Sequence, residues 1–153
     1  MLILDCECYP NYFLLAFLEV ATGKVRHFEC TEAQPFDGKT VAALMAKYQT
    51  GSFNGLSYDL PLIAAAIMGA KPTRLKSISD AIILRKQPAW RVMRDFELAI
   101  PAKWDHIDII EVAPGQSGLK IYGGRMHAPT LQDLPIEPDE HVTHEQMEQL
   151  KAY

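Results

Sequence analysis

Asp5 and Glu7 stand one residue apart at the end of an apolar run, Leu2-Ile3-Leu4-Asp5-Cys6-Glu7-Cys8. A strand has a side-chain period of about two, which sets both carboxylates on one face and Cys6 and Cys8 on the other. Two anions that close repel each other, and a divalent cation with oxygen ligands relieves that repulsion directly. Taken alone, the pair amounts to a buried strand running into the polar turn Tyr9-Pro10-Asn11.

A second constellation is Asn54-Gly55-Leu56-Ser57-Tyr58-Asp59, where a polar residue ends a short strand and an acid opens an apolar helix. Asp59 has two readings at this junction. It is a sensible helix N-cap, its carboxylate accepting backbone N–H bonds. It is also a third carboxylate able to reach the end of the first strand and join Asp5 and Glu7 around metal ions.

Other clusters carry less. Asp105-His106-x-Asp108 is accounted for by a strand leading into a polar turn. His141 and His144 precede Glu145 without the His-Glu-x-x-His spacing of a zinc helix. Gly123-Gly124 neither follows a strand in a βαβ unit nor forms a phosphate loop, so no nucleotide cofactor is expected. Cys6, Cys8 and Cys30 lack Cys-x-x-Cys spacing, which argues against zinc, and three thiols favour buried free cysteines in a reducing compartment.

The elements that must position these residues follow from hydrophobic pattern. Leu2 to Cys8, Tyr12 to Val20 and Val25 to Glu29 read as three strands with short connections, hence an antiparallel meander. Apolar residues Val41, Leu44, Met45 and Tyr48 predict a helix near Lys39 to Tyr48. Gly51 to Phe53 reads as a short strand, and Asp59 to Met68 as a buried helix with Pro61 in its first turn. The stretch Lys71 to Pro88 looks helical in its middle, with Ser77 or Ser79 as cap, while Ala89 to Lys103 has no clear pattern. Asp105 to Val112 predicts a last strand, and Ser117 to Gly124 a short helix. Pro129 to Asp139 is an irregular connection, and Thr143-x-x-Gln146 has capping-box spacing before a final helix towards Tyr153. One mixed-sheet α/β domain fits this order.

At 153 residues, 48% hydrophobic and 22% charged, the chain has the make-up of an ordinary globular domain. It holds no run of membrane-spanning length and no secretion-type leader, so neither anchor nor signal is expected. The net charge of −4 is unevenly spread. Eight Lys/Arg between Lys71 and Lys103 meet only Asp80, Asp95 and Glu97, a local +5, whereas Asp133 to Glu148 has six acids and no Lys or Arg. Such runs are either solvated faces or a basic surface for a polyanion beside an anionic site.

The two constellations together, Asp5-x-Glu7 and then Asn54-x-x-x-Tyr58-Asp59, resemble the first two motifs of the DEDD (DnaQ-like) 3′–5′ exonucleases. Their flanks, with Asp105-His106-Ile107-Asp108 and Leu119-Lys120-Ile121-Tyr122-Gly123-Gly124-Arg125, resemble exonuclease domains fused to, or encoded beside, bacteriophage DNA polymerases. The likeness covers essentially the whole chain in order.

That resemblance implies a ribonuclease H-like fold over residues 1–153: a mixed sheet of about five strands, the first three antiparallel, flanked by helices. It implies two-metal hydrolysis of the 3′-terminal phosphodiester of DNA, releasing nucleoside monophosphates, as in proofreading during phage replication. Two Mg²⁺ or Mn²⁺ ions about 3.5–4 Å apart would supply a hydroxide at neutral pH and stabilise the charge that develops on the leaving oxygen, and hard cations take oxygen ligands. Carried over residue by residue, Asp5 would bridge both ions, Glu7 would bind one and orient water, and Asp59 would bind the second. The family's third motif is Tyr-x-x-x-Asp or His-x-x-x-x-Asp; Tyr153 stands where the tyrosine version would begin, and its Asp would lie four positions further on. The domain is therefore expected to be cut short, its activity impaired and its metal occupancy weak.

The expected partners are a single-stranded 3′ end and a DNA polymerase domain or subunit, acting in the cytoplasm, the host's for a phage-encoded protein. The nucleic-acid-contacting set is Cys8, Tyr9, Phe13, Asn54, Tyr58, Trp90, Lys120 and Arg125. Phe13, Tyr58 and Trp90 would stack on terminal bases, and Lys120 and Arg125 would meet backbone phosphate. Two alternatives keep the fold: an inactive module that binds nucleic acid or polymerase, and an exoribonuclease or oligonucleotide-degrading enzyme.

Overall fold

A computed structural model describes residues 1–115, 117–129 and 133–152. Its centre is a five-stranded mixed sheet ordered β3-β2-β1-β4-β5, with β1 Leu2–Tyr9, β2 Tyr12–Glu19, β3 Val25–Thr31, β4 Thr50–Ser52 and β5 His106–Asp108. The first three strands are antiparallel, and β4 and β5 run parallel to β1. The Tyr9↔Tyr12 register leaves Pro10-Asn11 as a two-residue hairpin turn. Gly23, at φ +70°, supplies the left-handed residue of the β2–β3 turn. Reaching a parallel β4 requires a crossover, which α1 (Gly38–Lys47) provides.

Strand alternation divides the sheet into two unlike faces. One carries Leu2, Leu4, Cys6 and Cys8 with Phe13, Leu15 and Phe17, all buried. Against it pack α1, α2 (Asp59–Ile67) and α3 (Pro72–Ile83) through Val41, Met45, Leu62, Ile63, Leu75 and Ile78. The other face carries Asp5, Glu7 and Tyr9 alongside Tyr12, Leu14 and Ala16. A smaller cluster of Ile136, Val142, Met147 and Leu150 covers Tyr9, Tyr12 and Leu14 there. Its helix, α6 (His144–Ala152), follows α4 (Ala89–Asp95) and α5 (Leu119–Arg125) in the chain. The α/β class, the five mixed strands and the antiparallel first three match the pattern-based expectation.

Several local expectations need correction. The last strand is only three residues, because the Asp108 carboxylate accepts the Ile110 N–H (3.2 Å) and turns the chain into a 3-10 turn over Ile109–Glu111. Helix α3 begins at Pro72, not at a serine cap; proline is favoured at the first helical position because its missing N–H has no partner there anyway. Ser77 instead bonds back to the Thr73 carbonyl, and Ser79 is buried against Tyr58. The patternless segment contains α4. The expected capping box is present: Gln146 N–H donates to Thr143 Oγ1 (3.3 Å), and Thr143 N–H to Gln146 Oε1 (2.8 Å). All three cysteines are buried free thiols. No helix among the described residues is long and apolar enough to cross a membrane.

Candidate active site

Strand β1 delivers Asp5 and Glu7 to the thinly covered sheet face by parity alone. It pairs with β4 only at Leu2 and Ile3, so beyond Leu4 that edge of β1 has no strand beside it. Asp59 enters from the first turn of α2. It is not the N-cap: Tyr58 holds that position, with no side-chain cap bond. Asp59 is 2% exposed, and its Oδ1 is buried without a hydrogen-bond partner. An orphaned carboxylate oxygen is costly and signals a missing donor or cation.

The three acids sense one another. Burial pushes the Asp59 carboxyl up to about 8, with repulsion from Asp5 next, offset in part by the Cys6 thiol and amide beside it. Glu7 is also pushed up to about 8, by burial first and then by Asp5 and Asp59. Asp5 keeps solvent access, yet the protein around it still raises its carboxyl above the ordinary range. A carboxylate cluster that resists ionisation alone is what a divalent cation stabilises. Among the described residues no three His, Cys, Asp or Glu side chains converge into a ready-made metal cage. The donor chemistry and the orphaned Asp59 oxygen nonetheless fit a hard cation.

A cleft of about 310 Å³ opens beside Asp5 and Glu7, walled by Ala16, His27, Leu150 and Lys151 among others. The last turn of α6 thus lies over the carboxylates. Lys151 is fixed there by Glu29 (3.1 Å) and Glu148 (2.7 Å), and Tyr12 Oη donates to the other oxygen of Glu29 (2.8 Å). Tyr153 lies outside the described residues.

The nucleic-acid candidates separate sharply. Phe13 is fully buried, its ring edge-on to Phe36 at 5.6 Å, and Cys8 and Tyr9 are buried as well. These three are core residues, because strand parity turns Cys8 and Phe13 under the helices and Tyr9 beneath the 136–150 segment. The assignment of their side chains to nucleic-acid contact is corrected accordingly. Tyr58 is half-buried, its hydroxyl 3.0 Å from Ser79 Oγ. Trp90 is 65% exposed, with the Arg94 guanidinium 5.6 Å from its ring centroid. Arg125 is exposed on α5, and Lys120 pairs with Asp133.

The loop before Asp59 is held by residues that the sequence pattern did not assign. Asn54 adopts φ +65°, and its N–H donates to Asp108 Oδ1 (2.7 Å), while Leu56 N–H donates to Asp108 Oδ2 (2.9 Å). His106 bridges Thr50 Oγ1 (2.9 Å) and Ser52 Oγ (3.1 Å) through its two ring nitrogens. A Cβ on Gly55 would lie 1.8 Å from Ser52 Oγ, so only glycine fits. The Asp-His-x-Asp spacing was visible, but its partners, some fifty residues upstream, were not.

Comparison with protein-family models, curated proteins and solved structures found no match to this chain.

Proposed function

We propose that the chain is a 3′–5′ exonuclease domain of ribonuclease H-like fold, hydrolysing the 3′-terminal phosphodiester of single-stranded DNA in the service of a polymerase. The observation that carries this reading is the coupled cluster of Asp5, Glu7 and Asp59, with a buried, unpartnered Asp59 oxygen, at the end of β1. A five-stranded mixed sheet with its first three strands antiparallel agrees with the fold that the motif resemblance implies.

Asp5, Glu7 and Asp59 would hold divalent cations, Mg²⁺ or Mn²⁺. When bound, such ions supply a hydroxide at neutral pH and neutralise charge on the leaving oxygen. The side chains do the rest. Asp5, open to solvent, presents oxygen at the cleft mouth, and Asp59 presents oxygen from the protein interior. Glu7, on the same strand face as Asp5, would orient the attacking water. The exposed Trp90–Arg94 pair offers an aromatic face with a cation over it, suited to an unpaired base.

The test is degradation of a 5′-labelled single strand with Mn²⁺. Residues 1–153 shorten the strand slowly at high protein concentration, and Asp5→Asn and Asp59→Asn each abolish the shortening. No shortening by the folded parent chain overturns the proposal. A binding module of the same fold would instead retain strand affinity in Asp5→Asn and Asp59→Asn with no shortening in any form, and matched RNA strands separate a ribonuclease.

A further inference from the structure

We infer that Asp108 is a positioning residue that sets where Asp59 stands, acting through the backbone of the loop between β4 and α2. The inference rests on the proposed role of Asp59 as a cation ligand.

Asp108 is 4% exposed. Its charge is met by backbone donors: Asn54 N–H at 2.7 Å, Leu56 N–H at 2.9 Å and Ile110 N–H at 3.2 Å. Charged acceptors make roughly twice the hydrogen bond that neutral ones do. Both carboxylate oxygens are used in this way, so Asp108 holds the loop backbone.

The restraint passes along the loop to Asp59. With the Asn54 N–H held, the Asn54 carbonyl accepts from Ser57 (3.2 Å) and Tyr58 (3.1 Å), which closes a left-handed turn. The Gly55 carbonyl, in the peptide unit next to the Leu56 N–H, accepts from Leu60 N–H at 2.9 Å. Asp59 lies between Tyr58 and Leu60: Leu60 is tied to a peptide unit whose N–H Asp108 holds, and Tyr58 is tied to the Asn54–Gly55 unit that lies between the two units Asp108 holds. On the far side, Ser52 and His106 leave room only for glycine at position 55. Strand β5 therefore holds the loop from two directions. Asp59 Oδ1 is buried without a partner, so beyond the Cys6 thiol and amide beside its carboxyl it is the loop backbone that fixes where Asp59 stands.

The test uses residues 1–153 with Asp108→Asn, and Leu75→Ala as a core variant that lowers Tm without touching the loop. Two readouts are taken: amide hydrogen exchange from residues 54 to 60, and Mn²⁺ affinity from water-proton relaxation. The expected result is at least tenfold faster exchange through residues 58 to 60, with at least tenfold weaker Mn²⁺ binding, in Asp108→Asn alone. If exchange changes only at 54 and 56 and Mn²⁺ binds as in the parent chain, the inference is overturned. If the parent chain binds no Mn²⁺ but exchange accelerates through 58 to 60, the positioning holds while the cation reading fails. Should Asp108→Asn not fold, Asp108→Glu, which keeps the charge and shifts it outward, is read by the same outcomes.

Discussion

The Asn11 carboxamide and the Val142 backbone exchange two hydrogen bonds, Nδ2–H to the Val142 carbonyl and Val142 N–H to Oδ1, each 2.9 Å long. The β1–β2 turn thereby grips the segment that leads into α6, and Tyr9 Oη donates to the Ile136 carbonyl beside it (3.3 Å). The last turn of α6 reaches the cleft from this anchor.

Asn11→Ala should therefore loosen the C-terminal segment before the rest of the domain. Losing two backbone partners costs about 1–3 kcal/mol. Hydrogen exchange should accelerate across 142–152 while α2 and α3 keep their protection. Uniform acceleration across all helices would show that the segment does not depend on this pair.

The carboxylate cluster sets a pH dependence whose sign is fixed. Glu7 and Asp59 bind protons more tightly folded than unfolded, each rising from near 4 to about 8. Below about pH 4 both states are protonated and nothing is lost. As pH climbs towards 8 the unfolded chain ionises more readily, so the metal-free fold loses stability across that window. Asp59→Asn should match the parent at pH 4 and exceed it at pH 8. Chemical denaturation at the two pH values measures the difference; a parent that gains stability over Asp59→Asn as pH rises would refute the sign.

Trp90 and Phe13 should respond differently to truncation. Trp90→Ala should weaken binding of a short single strand about tenfold, within the range of one base stack, and leave Tm nearly unchanged. Phe13→Ala removes a fully buried ring and should cost about 3–5 kcal/mol of stability. Fluorescence titration and thermal melts report the two effects separately. Equal strand affinity for Trp90→Ala and the parent would remove Trp90 from the contact surface.

Helix α6 offers a local check. Thr143→Ala breaks the reciprocal cap with Gln146 and should cost about 1 kcal/mol. Because Leu150 and Lys151 line the cleft, the change should also widen motion at the cleft mouth, seen as faster exchange at residues 147–152. Unchanged exchange there would show that packing of Met147 and Leu150 alone holds the helix.

Period-two alternation made the faces of β1 legible from sequence, and with them the pairing of Asp5 with Glu7 and the burial of Cys6 and Cys8. The Thr143–Gln146 cap and the helix after Asp59 were legible too, since caps and apolar runs are local signals. What stayed hidden depends on contacts far apart in the chain. Nothing near Asp108 says that its carboxylate will take the Asn54 and Leu56 amides, so a three-residue strand read as eight. Phe13 and Tyr9 look the same in sequence as exposed aromatics, and only the packing of α1 and of the 136–150 segment decides their burial. Lys151 and Glu29 meet through the β2–β3 register, which no motif announces.

Mn²⁺ binding to residues 1–153 at pH 8, compared with Asp5→Asn and Asp59→Asn by water-proton relaxation, tests the central claim most directly. The account predicts weak, saturable binding that either substitution reduces at least tenfold. Equal binding by all three chains, or none by a folded parent, would contradict it.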